Sequence, residues 1–119
     1  MTKKTLVFGA STNEARYSNV AIRRLRQQNV EVKAFGLKSG MVVDVSIDTE
    51  LKQYPDLDTV TLYMNPFRQK EYYDYLIGLQ PNRIIFKPGT ENPEFISMLK
   101  ENNIETDIAC TLVLLSMGQ

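Results

Sequence analysis

Short apolar segments alternate with helical patterns along the whole sequence. The first apolar segment, Leu6-Val7-Phe8, is continuous rather than alternating, as is typical of a strand buried on both faces of a sheet. Strands that are separated by helices pair in parallel, with right-handed crossovers. We therefore predict an α/β fold, in which helices cover both faces of a mainly parallel sheet. The predicted strands are 6–8, 30–36, 41–47, 59–63, 83–86 and 104–108.

The expected architecture is one three-layer domain over residues 1–119. The predicted strand order is 3-2-1-4-5, with a further strand at one edge. Helices are predicted at 17–28, at 48–53 with Asp48 as N-cap, after Asn65-Pro66, after Asn92-Pro93, and at 112–117 with Thr111 as N-cap. Asn29 is expected to end the first helix in a left-handed conformation. The faces predicted to point inward carry Tyr17, Val20, Ala21, Leu25, Tyr72, Tyr73, Leu76, Ile77, Phe95, Ile96 and Leu99.

The composition excludes several classes of function. Lysine plus arginine balance aspartate plus glutamate at 14 each, so no global field attracts nucleic acid or an anionic membrane. The chain has no histidine and one cysteine, which excludes histidine-dependent triads and histidine or thiolate metal clusters. No signal peptide or membrane span is evident, and the lone Cys110 fits a reducing compartment, so we expect a cytoplasmic protein.

The turn after the first strand is the first candidate for a binding site. Gly9 permits a tight turn, Ala10 and Ser11 are small, and a helix begins near Tyr17 and Ser18. Unpaired N–H groups at a helix N-terminus bind phosphate well, and Arg16 stands beside them. An ordinary tight turn with a solvated arginine is the alternative interpretation.

Four segments are expected at the carboxyl ends of the strands, where ligands bind in such sheets. We call them loop 1 (9–16), loop 2 (36–40), loop 3 (64–67) and loop 4 (87–92). Loop 1 lacks the three-glycine dinucleotide fingerprint, and loop 2 carries Lys38 where an acidic residue would hold a free ribose diol. Lys38 suits a phosphorylated ribose, as in coenzyme A or NADP, unless it is simply a solvated lysine.

These motifs together resemble those of the small stand-alone CoA-binding-domain proteins. The motifs are Gly9-Ala10-Ser11-x-Asn13, Arg16-Tyr17-Ser18, Asn65-Pro66, Pro88-Gly89-Thr90-Glu91-Asn92 and Ala109-Cys110-Thr111. Such proteins have one Rossmann-like domain, similar to the N-terminal domain of the succinyl-CoA synthetase alpha subunit. The resemblance implies that loop 1 takes the phosphates, loop 2 the adenosine end, and Asn65-Pro66 and Pro88-Gly89 the pantetheine arm. Lys87 departs from the family, which tends to have asparagine there, and adds a positive charge.

The predicted function is non-catalytic binding of coenzyme A or an acyl-CoA. The resemblance supplies no reaction, and the sequence offers no convergent acid–base pair, so we expect no enzyme activity. The alternatives are an NADP- or NAD-binding sensor on the same fold and a ligand-free interaction module with an unknown protein partner. The predicted cofactor-binding residues are Gly9, Ala10, Ser11, Asn13, Arg16, Tyr17, Ser18, Lys38, Asn65, Pro66, Lys87, Pro88 and Gly89.

Cys110 lies between the last strand and the last helix. We expect a buried structural thiol, since its neighbours are apolar. The alternative is a thiolate stabilised at the helix N-terminus, which could form a mixed disulfide with the thiol of a bound coenzyme A.

Overall fold

The computed structural model describes residues 4–117. The predicted domain also included residues 1–3 and 118–119, which lie outside the described residues. The strands are β1 (Thr5–Phe8), β2 (Val32–Phe35), β3 (Gly40–Val42), β4 (Val45–Asp48), β5 (Thr59–Leu62), β6 (Arg83–Phe86) and β7 (Glu105–Ile108). The helices are α1 (Tyr17–Gln27), α2 (Pro66–Gln69), α3 (Tyr73–Gly78), α4 (Pro93–Glu101) and α5 (Thr111–Ser116), with a 3-10 turn at Lys70–Tyr72 between α2 and α3.

All described strands belong to one sheet, in the order β3-β4-β2-β1-β5-β6-β7. Every neighbouring pair is parallel except β3 and β4, which are antiparallel. The α/β class, the parallel centre and the predicted strand order are therefore confirmed, and β7 is the further strand at one edge.

Both faces of the sheet are buried at its central strands. Leu6 and Phe8 point into a core with helices α3 and α4, whereas Val7 points into a second core with α1 and α5. Successive residues of a strand face opposite sides of the sheet, so the continuous apolar run of β1 fills both cores. Its four residues are fully buried.

The segment 41–47, predicted as one strand, is a hairpin that reverses at Val43-Asp44. Val43 has φ +58°, which a β-branched residue rarely adopts. Two hydrogen bonds of 2.9 and 2.8 Å from the Arg26 guanidinium to the Asp44 carboxylate attach the turn to α1. The prediction missed the reversal because no glycine or asparagine marks it.

The predicted helix at 48–53 is wrong. Asp48 ends β4, and the chain then runs without regular structure to Tyr54. The Asp48 carboxylate accepts hydrogen bonds from Tyr54 Oη at 2.5 Å and Lys52 Nζ at 2.9 Å, so it contacts side chains rather than capping a helix. Burial acts to raise the pKa of Asp48, but these hydrogen bonds and the charges of Lys52 and Lys33 together lower it.

Three details of the helices also differ from expectation. Tyr17 does not face inward but is 58% exposed, Val20 is half-buried, and the apolar side chains that α1 buries are Ala21, Ile22 and Leu25. Cys110, not Thr111, is the N-cap of α5, and Thr111 shares a buried hydrogen bond of 2.7 Å with Thr61. The left-handed conformation of Asn29 is confirmed, with φ +60°. Within residues 4–117, no helix is long and apolar enough to cross a membrane.

Candidate functional site

The four loops lie together at the carboxyl ends of the strands because the strands before them end in register. Phe8 lies beside Phe35 on one side and Leu62 on the other, and Leu62 lies beside Phe86. Loop 1 therefore leaves the sheet at its centre, with loop 2 on one side and loops 3 and 4 on the other. The winding of the chain reverses at this point, which is where ligands bind in open α/β sheets.

Loop 1 is held close to the strands that flank β1. The N–H groups of Gly9 and Ala10 both donate to Phe35 O, at 2.9 and 2.8 Å. Gly9 has φ +99°, and a Cβ at this position would lie 3.2 Å from the backbone carbon of Tyr63. Only glycine therefore fits both the backbone conformation and the space at this turn.

Two predicted site residues stabilise loop 1 from within. Ser11 Oγ accepts the N–H of Asn13 at 3.1 Å, and Asn13 Oδ1 accepts the N–H of Ala15 at 3.0 Å. These hydrogen bonds use the acceptor atoms of both side chains. The O–H of Ser11 stays available to donate to a ligand.

Asn19 joins loop 1 to helix α1 and was not predicted from the sequence. It is 2% exposed, its Nδ2 donates to Ser11 O at 2.9 Å, and its Oδ1 accepts from Arg23 Nε at 2.8 Å. Arg23 also donates to Glu14 O at 3.3 Å. The first two turns of α1 therefore support the loop that precedes them.

The N-terminus of α1 offers free hydrogen-bond donors. Arg16 is its N-cap and makes no capping hydrogen bond with its side chain, and the first turn holds no acidic residue. Among the hydrogen bonds of the described residues, the backbone N–H groups of Ser11, Thr12, Tyr17 and Ser18 have no protein partner. Free N–H groups, the helix dipole and the cation of Arg16 together make this the electropositive part of the site.

The helices after loops 3 and 4 differ in this respect. Asn65 Oδ1 accepts the N–H of Arg68 at 3.0 Å, and Asn92 Oδ1 accepts the N–H of Phe95 at 3.2 Å. Each asparagine cap occupies one backbone donor, in α2 and in α4, so of the three helices that follow loops 1, 3 and 4, α1 is the one without a side-chain cap.

Loop 2 lies against loop 1 at two points. A Cβ on Gly36 would lie 2.3 Å from Ala10 O, and a Cβ on Gly40 would lie 2.4 Å from Thr12 Cγ2. Lys38 stands between these two contacts and is exposed. Its ammonium group is therefore carried by a loop that stays beside loop 1.

The first part of loop 4, residues 87–90, presents a wall whose backbone donors are already bonded. Lys87 N donates to Leu62 O at 3.3 Å, Gly89 N donates to both Glu91 carboxylate oxygens at 3.1 and 3.0 Å, and Thr90 N donates to Lys87 O at 2.8 Å. Pro88 has no N–H to offer. Pro88 and Gly89 are exposed, so this wall suits a neutral, extended group better than a phosphate.

A contact between Lys87 and Tyr17 joins loop 4 to the start of α1. Lys87 Nζ lies 4.6 Å from the centre of the Tyr17 ring, a cation–π distance. Strand β5 lies between β1 and β6, so this contact passes over the carboxyl end of β5. It brings two of the predicted site residues together from opposite sides of the site.

Cys110 is half-buried, so the expectation of a buried thiol is wrong. It is the N-cap residue of α5, which packs beside α1 and begins over β5, where Thr111 bonds Thr61. Nearby, burial raises the pKa of Tyr63, although hydrogen bonds with Thr111 and Thr61 act in the opposite direction. In the described part of the chain, no three histidine, cysteine, aspartate or glutamate residues are placed to hold a metal ion.

Four shallow pockets that are open to solvent lie away from the loops. One of about 470 Å³ is lined by Lys4, Lys33, Asp48, Lys52 and Tyr54 among others, and none of the four is lined by a residue of loops 1 to 4. The candidate site is therefore defined by the loops at the carboxyl ends of the strands rather than by one of these pockets.

Gln69 is the second residue of the site that sequence reasoning missed. It is fully buried and contacts loops 3 and 4. Its position carried a clue, because Gln69, Tyr73 and Leu76 share one helical face and the other two were predicted to be buried. A polar side chain on a buried face needs a buried partner.

Comparisons with known proteins identify a matching family and solved structures with the same fold. A family described as CoA binding domain matches residues 3–116. A crystal structure of an uncharacterized protein is 45% identical, with a TM-score of 0.96, and the match covers 99% of this chain and 98% of that one. A search of functionally curated proteins finds no significant match.

Two further solved structures share the fold. A Thermus thermophilus protein is 21% identical with a TM-score of 0.89, over 98% of this chain and 90% of its own. A hypothetical protein from Pyrococcus horikoshii is 20% identical with a TM-score of 0.84, over 99% of this chain and 85% of its own.

Proposed function

The chain belongs to the CoA binding domain family, and from that premise we propose that it binds coenzyme A, free or acylated, without transforming it. The observation that carries the proposal is the open N-terminus of α1. Among the hydrogen bonds of the described residues, the N–H groups of Tyr17 and Ser18 at this helix end, and of Ser11 and Thr12 in the loop before it, have no protein partner, and the helix has no side-chain cap. In such a place a phosphate group can serve as the cap.

The adenosine end of coenzyme A would lie towards loop 2. Coenzyme A carries a 3′-phosphate on its ribose, and Lys38 supplies a cation beside loop 1 with no acidic residue in loop 2. Contacts with Gly36 and Gly40 keep loop 2 in place. A charge-assisted hydrogen bond from Lys38 to the 3′-phosphate would account for a preference over NAD, whose ribose is free.

The pantetheine arm would lie over the end of β5, between loops 3 and 4. The arm is neutral and extended, and loop 4 offers it an exposed Pro88-Gly89 turn in which the backbone donors are already bonded. The phosphates would therefore contact the free backbone donors of loop 1, and the pantetheine arm would contact the already bonded turn of loop 4. The Lys87–Tyr17 contact lies above the same strand, so it would cover the arm or open to admit it.

Binding without catalysis is supported by how the reactive groups are used. The Glu91 carboxylate accepts the N–H of Gly89, and burial raises the pKa of the Tyr63 and Tyr73 phenols, which moves both groups further from ionisation at neutral pH. Among the hydrogen bonds of the described residues, none joins a serine hydroxyl or the Cys110 thiol to a carboxylate.

Calorimetric titration with coenzyme A, dephospho-CoA, NAD and NADP tests the proposal. Coenzyme A should bind tightest. Loss of the 3′-phosphate, or a Lys38→Ala change, should weaken binding roughly 10- to 150-fold, the effect of a charge-assisted hydrogen bond worth about 1.5–3 kcal/mol. Glu105→Ala, at the start of the edge strand β7, is a control for a lost surface charge and should bind normally.

The other outcomes identify the alternatives. Tighter binding of NADP than of coenzyme A would favour a nicotinamide-nucleotide sensor, to whose 2′-phosphate Lys38 is equally suited. Binding of none of the four would favour an interaction module without a small ligand. Turnover of an acyl-CoA by the wild-type protein that is lost in Glu91→Gln would contradict the non-catalytic part of the proposal.

A further inference from the structure

Gln69 is a fully buried amide at the end of α2. Its Nε2 donates two hydrogen bonds to main-chain carbonyls, one to Met64 O at 2.8 Å and one to Thr90 O at 2.9 Å. Both acceptors are carbonyl oxygens, so the atom between them must be the NH2 group, and the orientation of the amide is fixed. One side chain therefore contacts the backbone of both loop 3 and loop 4.

A second buried amide holds the first. Gln69 Oε1 accepts from Asn92 Nδ2 at 3.1 Å, and the same nitrogen donates to Tyr73 Oη at 2.7 Å. Asn92 Oδ1 caps α4. The chain of hydrogen bonds thus runs from loop 3 through Gln69 to the first turn of α4, and it leaves the Gln69 side chain no freedom to rotate.

Main-chain pairing between the two loops ends where the strands end. The last main-chain hydrogen bond between the segments that contain β5 and β6 joins Lys87 N to Leu62 O at 3.3 Å. Beyond it, within the described residues, no backbone hydrogen bond joins positions 63–67 to positions 88–92. The side chain of Gln69 connects the two loops instead, so the length of this side chain bears on the distance between them.

We propose that Gln69 is a positioning residue, which fixes the separation of the two loops that flank the pantetheine arm. This inference rests on the proposed binding of coenzyme A. Gln69 is buried beneath the loops and acts through the backbone of Met64 and Thr90 rather than by touching the ligand. Its effect should therefore depend on whether a ligand reaches beyond loop 1.

Adenosine 3′,5′-bisphosphate provides the decisive comparison, because it shares the adenosine end of coenzyme A and lacks the arm. Replacing Gln69 by methionine keeps the size of the side chain but leaves the carbonyls of Met64 and Thr90 without donors. We expect Gln69→Met to weaken binding of coenzyme A at least tenfold and to leave the affinity for the bisphosphate within twofold of wild type. Calorimetry measures both affinities.

A control separates positioning from lost stability. Ile84→Val removes one buried methylene from β6, and this side chain makes no hydrogen bond to either loop. The substitution should lower thermal stability without altering the ratio of the affinities for coenzyme A and adenosine 3′,5′-bisphosphate. Equal losses for both ligands in Gln69→Met, or no loss for either, would overturn the inference. If the wild-type protein binds no coenzyme A, the proposed function itself has failed, which is a different result.

Gln69→Glu gives a second test should the methionine variant fail to fold. A buried carboxyl group has a raised pKa, and its protonated form regains one O–H donor for Met64 O or Thr90 O. Relative to wild type at the same pH, coenzyme A affinity should be lowest at pH 8 and recover as the pH falls towards 5. A constant ratio across this range would contradict the role of the donated hydrogen bonds.

Discussion

Replacing Gly36 by alanine should displace loop 1 from its position in the site. The added Cβ would lie 2.3 Å from Ala10 O and 3.1 Å from Ile47 Cγ2. Ordinary contact begins near 3.4 Å, so the Ala10 carbonyl must move by about 1 Å (3.4 − 2.3 = 1.1). The N–H groups of Gly9 and Ala10 are bonded to Phe35 O, directly before Gly36, so this movement strains those hydrogen bonds.

The expected cost of Gly36→Ala is about 1–3 kcal/mol in the free energy of unfolding, as for other overpacked sites. If the shift removes one charge-assisted hydrogen bond to phosphate, coenzyme A affinity should fall roughly 10- to 150-fold. Urea unfolding measures the first quantity and calorimetric titration the second.

Two other glycines make matched controls. A Cβ on Gly78 would have nothing within 4 Å, so Gly78→Ala should leave both quantities unchanged or raise stability slightly. A Cβ on Gly40 would meet Thr12 Cγ2 at 2.4 Å, a methyl group at the end of a side chain that can rotate, so Gly40→Ala should have an intermediate effect. Native stability and affinity in Gly36→Ala would refute this reasoning.

Three further predictions concern single side chains. Asn19→Ala should weaken coenzyme A binding with little effect on the melting temperature, because it removes the hydrogen bond from Asn19 Nδ2 to Ser11 O that holds loop 1. An unchanged affinity would contradict this. Val43→Gly should raise the free energy of unfolding by up to about 1 kcal/mol by relieving a left-handed conformation, as urea unfolding would show. Tyr54→Phe should lower stability by about 1 kcal/mol at pH 7. The folded-state pKa of Asp48 is lowered, so the stability that its ionised form contributes is lost as the pH falls through that pKa. The loss of stability in Tyr54→Phe should therefore shrink below about pH 4. A loss that is constant with pH would contradict this.

Local chemistry in the sequence determined most of the fold. The continuous apolar run of β1 predicted burial on both faces, and both faces are buried. Asn65 and Asn92, each followed by proline, predicted two helix starts, and both side chains cap as expected. These features depend on residues within a few positions of each other, so they can be predicted without knowing the fold.

Part of the site followed from the same reasoning. Gly9 was expected to permit a tight turn after β1, and it has the positive φ and the close neighbour that only glycine accepts. Parallel strands placed four loops at one edge of the sheet. Which donors remain free for a ligand did not follow, because that depends on how each cap and loop hydrogen bond is used. The asparagines cap α2 and α4, whereas α1 is left without a side-chain cap.

Tertiary contacts decided the remaining features. Tyr54 reaches back to Asp48, and the segment between them is therefore not helical. Gln69 is polar on a buried helical face, and its partner Thr90 O lies 21 residues away in the sequence. A periodic pattern identifies which face is buried but not which carbonyls will meet there. Those partners are set by the packing of the sheet and helices, since a buried polar group must find its hydrogen bonds among whatever the fold brings within reach.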